Sequence, residues 1–273
     1  MAGYKGLFDE RGYYVARGLF SPEEVSTFLS HFMRLNTERQ DAASAQLDPA
    51  AAGGQVDPLK LYPRMLQMHR WDALSLGYLI DPRINEVLTT LLGAEPYAVQ
   101  TMMYFKPPGA RGQALHQDQY YLRVQPGTCM AAWMALDPCD PDNGCLQVVD
   151  GSHTWDLLCT VDANAEESFS SVTVPLPPGA KPTPVVMEPG DVLFFNGSLV
   201  HGSFPNRTRD RFRRSLIAHY IVGEAARVAE FYHPVLRMDG TEVKLGISEG
   251  GSQCGVWVER DGSPVIELVE AGA

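Results

Sequence analysis

From Tyr97 onward the chain is a series of short apolar runs separated by turn-forming residues. The runs are 97–105 (YAVQTMMYF), 115–124 (LHQDQYYLRV), 129–137 (CMAAWMALD), 144–153 (GCLQVVDGSH), 183–197 (TPVVMEPGDVLFFNG) and 213–222 (RRSLIAHYIV). PPGARG, DPDNG and EPGD supply the turns between them. The earlier part has another period. Tyr13 to Leu19 reads as a first strand. Ser21, Pro22 and Glu24 then form a capping box, and Val25, Phe28, Leu29, Phe32 and Met33 recur at helical spacing. A second helix starts at Asp81-Pro82, buries Ile84, Val87, Leu88 and Leu91, and stops at Gly93. Helices first and strands afterwards, with no βαβ alternation, predict a mainly β, antiparallel core with helices packed outside. Many short strands at regular spacing fit a sandwich or jelly roll.

Two stretches interrupt this pattern. Residues 37–60 are rich in Ala, Gly, Asp and Gln and have no sustained period, so they are expected to be an excursion and a possible lid. Residues 166–183 are rich in Ser and Pro and are expected to be a loop inserted into the β core. Residues 232–273 read as irregular, with a hairpin turning at Asp261-Gly262. There is no internal repeat, and residues 1–273 are expected to form one domain with loop insertions.

Composition narrows the class of partner. A net charge of −11 and a pI near 5.1 argue against nucleic acid or an anionic membrane as the main partner. No apolar run is long enough to span a bilayer, and the first residues lack a basic stretch followed by an apolar one. A cytoplasmic protein is therefore expected. The five cysteines, Cys129, Cys139, Cys145, Cys159 and Cys254, are odd in number and lack C-x-x-C spacing. That predicts reduced thiols rather than a disulfide framework or a zinc knuckle.

The chemistry sits at LHQDQYYL, residues 115–122. In a strand, His116 and Asp118 would share a face. A buried carboxylate is costly unless it is paired or bound to a cation, and imidazole and carboxylate are both good ligands for a divalent metal. His201, at the end of an apolar strand and inside HGSFPN, is the third candidate. Two histidines and one carboxylate form the facial triad of non-haem iron(II) oxygenases, with coordination positions left open for cosubstrate and O₂. Arg213 begins the next strand. If it faces inward, it wants a carboxylate held in a bidentate fork, which a dicarboxylate cosubstrate could supply. Ser203 could add a hydroxyl to the same carboxylate. Taken alone, His116 and Asp118 could equally be a hydrogen-bonded pair, Arg213 an exposed strand end and Trp133 a core residue.

HQD at 116–118, PGD-x-LFFNGSLVHGS-x-x-N at 189–206 and an arginine on the following strand together resemble the phytanoyl-CoA dioxygenase (PhyH) family of iron(II)/2-oxoglutarate oxygenases. The resemblance runs over roughly residues 10–225. It implies a double-stranded β-helix, that is, a cupin-like jelly roll with flanking helices. It implies iron ligands at His116, Asp118 and His201, and 2-oxoglutarate contacts at Arg213 and Ser203, with Arg211 and Arg214 as alternatives to Arg213. Trp133 falls on a family tryptophan beside the cosubstrate. Gln100, Met102 and Tyr104 share one face of the strand that precedes the metal motif, and Gln100 and Tyr104 join the expected cosubstrate site. Lys60 is a weaker candidate. The implied activity is oxidation of an unactivated C–H bond with Fe(II), 2-oxoglutarate and O₂. The first expected substrate is a small molecule such as a natural-product intermediate. An acyl thioester is the alternative, and a non-catalytic metal-binding jelly roll is the reading from another class.

Overall fold

The computed structural model of the chain describes residues 2–44, 57–250 and 253–269. The strands used below are, in chain order, β1 Tyr13–Ala16, β2 Met65–Leu66, β3 Tyr97–Tyr104, β4 Gln113–His116, β5 Cys129–Ala135, β6 Leu146–Val148, β7 Thr183–Val185, β8 Val192–Asn196, β9 His201–Ser203, β10 Ser215–Ile221, β11 Val235–Leu236, β12 Glu242–Val243, β13 Cys254–Arg260 and β14 Ser263–Val269. The helices are α1 Ala2–Arg11, α2 Pro22–Ser44, α3 Pro58–Leu61, α4 Ala73–Leu79, α5 Pro82–Leu92 and α6 Gln119–Leu122.

An eight-stranded sheet has the order β1-β8-β5-β10-β3-β11-β12, with β2 also on β3, and a four-stranded sheet has the order β4-β9-β6-β7. The chain crosses repeatedly between them. β3, β5, β8 and β10 lie in the large sheet, and β4, β6, β7 and β9 lie in the small one. This is the jelly roll, with all pairs in both sheets antiparallel.

The large sheet is covered on both faces. On one side Met130, Ala132, Met134, Leu216 and Tyr220 pack with Phe28 and Phe32 of α2, Tyr78 of α4, and Ile84 and Leu88 of α5. On the other, Trp133, Leu193, Phe195 and Ile217 meet Leu146, Val148 and Val185 of the small sheet. Two dry faces explain why 129–135 reads as unbroken apolar sequence rather than alternation, since every residue of β5 is buried. The Tyr78 hydroxyl ties the helical layer to the sheet by pointing at the carbonyls of Ala132 and Leu216, at 3.2 and 3.0 Å.

The local signals for α2 and α5 are realised. The Glu24 amide donates to the Ser21 hydroxyl at 3.3 Å, and Glu24 accepts from the Ser21 amide at 2.8 Å. Asp81 caps α5 and Gly93 ends it in the left-handed region. The hairpin β13–β14 turns at Asp261-Gly262, both at positive φ.

Several expectations are corrected. α2 continues to Ser44, so the expected excursion is helical over its first part. Residues 45–56 lie outside the described residues, and Asp57 caps α3, which carries an exposed Lys60. α1 and α4 were not anticipated, because α1 contains two glycines and no apolar stripe, and α4 spans only seven residues. The first strand ends at Ala16 rather than Leu19, where the chain turns through Gly18. The run 144–153 is a strand only at β6 and closes in a 3-10 turn at Ser152–Thr154. The run 115–124 is not one strand: β4 ends at His116, and the chain turns at Asp118 into α6.

The expectation of reduced thiols fails for one pair, since Cys159 and Cys254 form a disulfide. Sequence spacing could not show this. The partners are 95 residues apart and meet only because Leu158 and Gly255 form a bridge and Trp155 packs edge-on to Trp257. Cys129, Cys139 and Cys145 are free and buried, as expected. Among the described residues no helix is long and apolar enough to cross a membrane.

Phe32 is wholly buried where α2 meets the rest of the helical layer. Phe32→Ala should lower the unfolding free energy by about 3–5 kcal/mol in urea denaturation, the usual cost of removing a buried ring.

Candidate active site

The site is built by strand register. β9 pairs with β4 so that His201 stands opposite His116, and on its other edge His201 stands opposite Val148 of β6. Gly202 permits this approach, because a Cβ there would lie 2.7 Å from the Gln113 carbonyl oxygen. The two imidazole centroids are 4.2 Å apart.

Asp118 joins them from the turn after β4. It adopts a helical backbone conformation, so its convergence with His116 does not come from strand alternation. The turn is fixed on two sides. The Gln119 amide donates to the Gly197 carbonyl at 2.9 Å. The buried Gln117 side chain donates to the Ser198 and Asp156 carbonyls and accepts from the Leu158 amide at 2.8 Å. The middle residue of HQD thus anchors the segment to its neighbours.

Ligand atoms of His116, Asp118 and His201 lie within 4.8 Å of one another, and all three residues are buried. Nε2 of His116 is 3.4 Å from Asp118 Oδ1, and Nε2 of His201 is 3.7 Å from Oδ2. The tautomers suit a metal. Nδ1 of His116 faces the Ala114 carbonyl at 2.9 Å, and Nδ1 of His201 faces the Leu199 carbonyl at 3.0 Å. With those protons committed, each Nε2 carries a lone pair suited to a cation; at His116 the Gln113 side-chain amide, 3.1 Å away, occupies it and would have to yield to the metal. Burial would raise the Asp118 pKa, but His201 and then the hydrogen bonds of His116 and His219 outweigh it and hold the carboxyl well below its usual range. Burial, then His116, brings His201 down to about 4, which keeps it neutral as a ligand must be. A neutral imidazole pair and an ionised carboxylate are the donor set of a divalent first-row metal.

A cavity of about 450 Å³ opens onto this triad, and Gln100, Met102, Tyr104, Trp133, Phe195 and Ile217 are among its lining residues. Tyr121 lines the cavity and Tyr120 does not. Phe169 to Val172 of the inserted loop close one side, while Lys60 is not among the lining residues.

Arg213 and Ser203 are buried just behind this lining rather than in it. The Arg213 guanidinium stacks over the Trp133 ring at 5.2 Å, donates through Nε to the Gly144 carbonyl at 3.0 Å and through Nη1 to the Ser215 hydroxyl at 2.8 Å. Its two rivals are spent elsewhere, Arg211 on Asp140 and Arg214 on Asp137. Ser203 Oγ accepts from Lys106 Nζ at 2.7 Å and from the Gln113 amide at 3.2 Å. Lys106 and Arg213 are thus two buried basic side chains, both reaching the Gly144 carbonyl, with no carboxylate partner among the described residues. Burial, then Arg213, holds the Lys106 pKa well below its usual value. Gly144 lets them gather: it has φ +89°, and a Cβ there would lie 2.7 Å from both Lys106 Cδ and the Phe204 carbonyl oxygen.

A profile of the phytanoyl-CoA dioxygenase (PhyH) family matches residues 8–215. The chain belongs to the PhyH family. The peroxisomal phytanoyl-CoA dioxygenase of Rattus norvegicus is 27% identical over 232 residues, covering 78% of this chain and 66% of that protein. The chain thus spans just under two thirds of the length of that relative. Among solved structures, the epimerase SnoN, in complex with Fe3+, alpha ketoglutarate and nogalamycin RO, superimposes with a TM-score of 0.63 at 21% identity, covering 82% of this chain and 84% of SnoN. EctD from S. alaskensis with 2-oxoglutarate and 5-hydroxyectoine gives 0.60 at 22% identity, covering 81% and 76%. These likenesses confirm the jelly-roll fold of this PhyH-family chain.

Sequence reading missed three residues here. His219 lies inside an apolar run, yet its Nε2 is 3.1 Å from Asp118 Oδ2, and it lines the cavity. Its position in β10, two residues past the inward-facing Ile217, was the available signal. Lys106 stood in KPPG, where the prolines suggested only a turn. Arg64 lines the cavity mouth from a segment with no pattern.

His69 is also buried, and its pKa is pulled down to about 4 by burial and then Arg70. Both His69 and His201 stay neutral in the folded protein at a pH where the unfolded chain, near 6.5, takes up protons. Their contribution to stability is complete above pH 6.5 and should be lost as pH falls towards 4, at about 1.4 kcal/mol per pH unit for each group. Urea denaturation of the metal-free protein between these values measures the slope, and His69→Gln should remove about half of it.

His219→Phe deletes the donor to Oδ2 of Asp118. Co(II) titrated under a competing chelator should bind roughly 10- to 100-fold more weakly to the variant. Unchanged affinity would show that His219 does not position the carboxylate.

Proposed function

We propose that this chain is an iron(II)- and 2-oxoglutarate-dependent oxygenase that oxidises an unactivated C–H bond of a small molecule, by hydroxylation or oxidative cyclisation, in the making of a natural product. The observation that carries the reading is the buried His116–Asp118–His201 group opening on one side into a cavity lined largely by apolar side chains. These three residues would hold the metal. Ferrous iron held there supplies, with 2-oxoglutarate and O₂, the oxidising power for C–H cleavage, while the cosubstrate leaves as succinate and CO₂.

The chain's own residues do the rest. The Arg213–Lys106 pair, left without a counter-charge, is suited to the far carboxylate of a dicarboxylate. Ser203 holds the Lys106 ammonium in place, and Trp133 stacks on the guanidinium and walls the cavity. Gln100 and Tyr104 line the path between the two ends. Met102, Phe195 and Ile217 keep it dry, which strengthens every polar contact inside.

The relatives' names bear on the substrate class. SnoN and the carbocyclase SnoK belong to nogalamycin biosynthesis, and a fungal dioxygenase, aneA of Aspergillus aculeatus, is 28% identical over 204 residues. Phytanoyl-CoA dioxygenases favour the second reading, an acyl-thioester hydroxylase. That substrate would need a basic channel for the CoA phosphates, and Arg64 is the one Lys or Arg among the lining residues. The natural-product reading therefore ranks first. The absence of a nucleic-acid partner is part of the proposal and accords with the net charge of −11; a cytoplasmic setting is also part of it, and the Cys159–Cys254 disulfide speaks against that part.

Anaerobic addition of iron(II) and 2-oxoglutarate should produce a weak visible charge-transfer band, and admission of O₂ should yield succinate. His116→Ala should abolish both. A variant that kept the band would sink the metal assignment, and acyl-CoA stimulating succinate formation above free acids would promote the second reading.

A further inference from the structure

One charge lining the cavity has no part in the chemistry proposed above. Arg64 stands at the mouth, its guanidinium 5.1 Å from the ring centre of Phe169 and 5.6 Å from that of Tyr104. Nη1 donates to the Tyr104 hydroxyl at 3.2 Å. The ring faces set the plane of the guanidinium and leave the other N–H groups of its fork free. Among the described residues no carboxylate pairs with it. Arg111, Arg211 and Arg214 differ in this respect, pairing with Asp57, Asp140 and Asp137. In a chain of net charge −11, an unpaired guanidinium facing a cavity is conspicuous. Among the described residues the only carboxylate lining that cavity is Asp118, which the metal would claim.

A second observation lies beside the first. Ser170, next to Phe169 and also lining the cavity, has a buried hydroxyl oxygen with no hydrogen-bond partner. A buried hydroxyl left unpaired costs free energy that a ligand can recover. Tyr121 spans the gap to the triad. Its ring is 6.2 Å from that of His116, and it lies within electrostatic reach of both Asp118 and Arg64.

We propose that Arg64 determines substrate specificity by gripping a carboxylate on the substrate, with the Ser170 hydroxyl as second donor. The apolar, ring-bearing body of that substrate lies along Tyr104, Phe169 and Tyr121 towards the triad. This rests on the oxygenase reading and narrows it to ring-bearing carboxylic acids. One cation matches one carboxylate. A phosphate monoester, carrying nearly two charges, would leave one unmatched at the rim.

The test uses 2-naphthoate, 2-naphthamide and 2-naphthyl phosphate, titrated calorimetrically into protein loaded anaerobically with iron(II) and 2-oxoglutarate. Wild-type protein should bind the naphthoate on the order of tenfold more tightly than the amide and more tightly than the phosphate. Arg64→Gln should erase the preference for acid over amide, Arg64→Lys should keep part of it, and Ser170→Ala should weaken naphthoate binding by roughly threefold. The 2-oxoglutarate affinity, read from the visible band, should be unchanged in all three variants. Equal binding of acid and amide, no binding of the acid, or a preference that survives Arg64→Gln overturns the proposal. Tighter binding of the phosphate overturns the carboxylate assignment. A fall in 2-oxoglutarate affinity in Arg64→Gln reassigns Arg64 to the cosubstrate. Should the protein take up neither iron nor 2-oxoglutarate, the oxygenase reading fails by itself, and the acid-over-amide preference is read on the metal-free protein.

Discussion

A carboxylate buried with neither ammonium nor guanidinium beside it must be held some other way, and at Asp118 the neighbours are three imidazoles. Water is not available to solvate it, so the geometry around it has to be tightly determined. Register does most of this. With His201 opposite His116 across the β9–β4 pair, a slip of one residue would send one imidazole to the wrong face and leave the carboxylate stranded. Backbone carbonyls two residues back set both tautomers, and Gln117 and α6 fix the turn that delivers Asp118.

Behind the cavity lining the imbalance has the opposite sign. Lys106 and Arg213 are buried basic side chains, burial and then the guanidinium lowering the lysine's pKa, and they are held by carbonyls, hydroxyls and a tryptophan face rather than by an acid. One carboxylate at one end and two cations at the other form an elongated, oppositely charged slot, complementary to a metal and a dicarboxylate. Such an arrangement costs stability in the ligand-free protein. The offset comes from the other side of the large sheet, where α2, α4 and α5 seal a predominantly apolar layer. Fold and site are thus divided between the two faces of one sheet.

The periphery reaches the site through short routes. The disulfide joins the C-terminal hairpin to the loop whose Leu158 amide holds Gln117, the residue between two candidate ligands. The inserted loop brings Phe169 and Ser170 to the mouth opposite Arg64. Those loops shape the mouth of the cavity, while β4, its following turn and β9 carry the three candidate ligands.

Much of this was legible beforehand, because the signals were local. A capping box, an Asp-Pro start, a glycine stop and a run of short apolar segments each express a backbone preference that tertiary packing did not overrule. The triad was legible because histidine and aspartate are poor core residues and their presence in apolar strands needs a reason. What the sequence could not determine was direction and company. It placed Asp118 on a strand when the chain had already turned into a helix, and it chose Arg213 without being able to show that Arg211 and Arg214 are engaged by Asp140 and Asp137. It was silent on His219, Lys106 and Arg64, and it expected reduced thiols where Cys159 and Cys254 are linked; each acquires its meaning from a partner far away in the chain. Local backbone chemistry is written residue by residue, whereas the pairing of buried charges exists only once the two sheets have closed on each other.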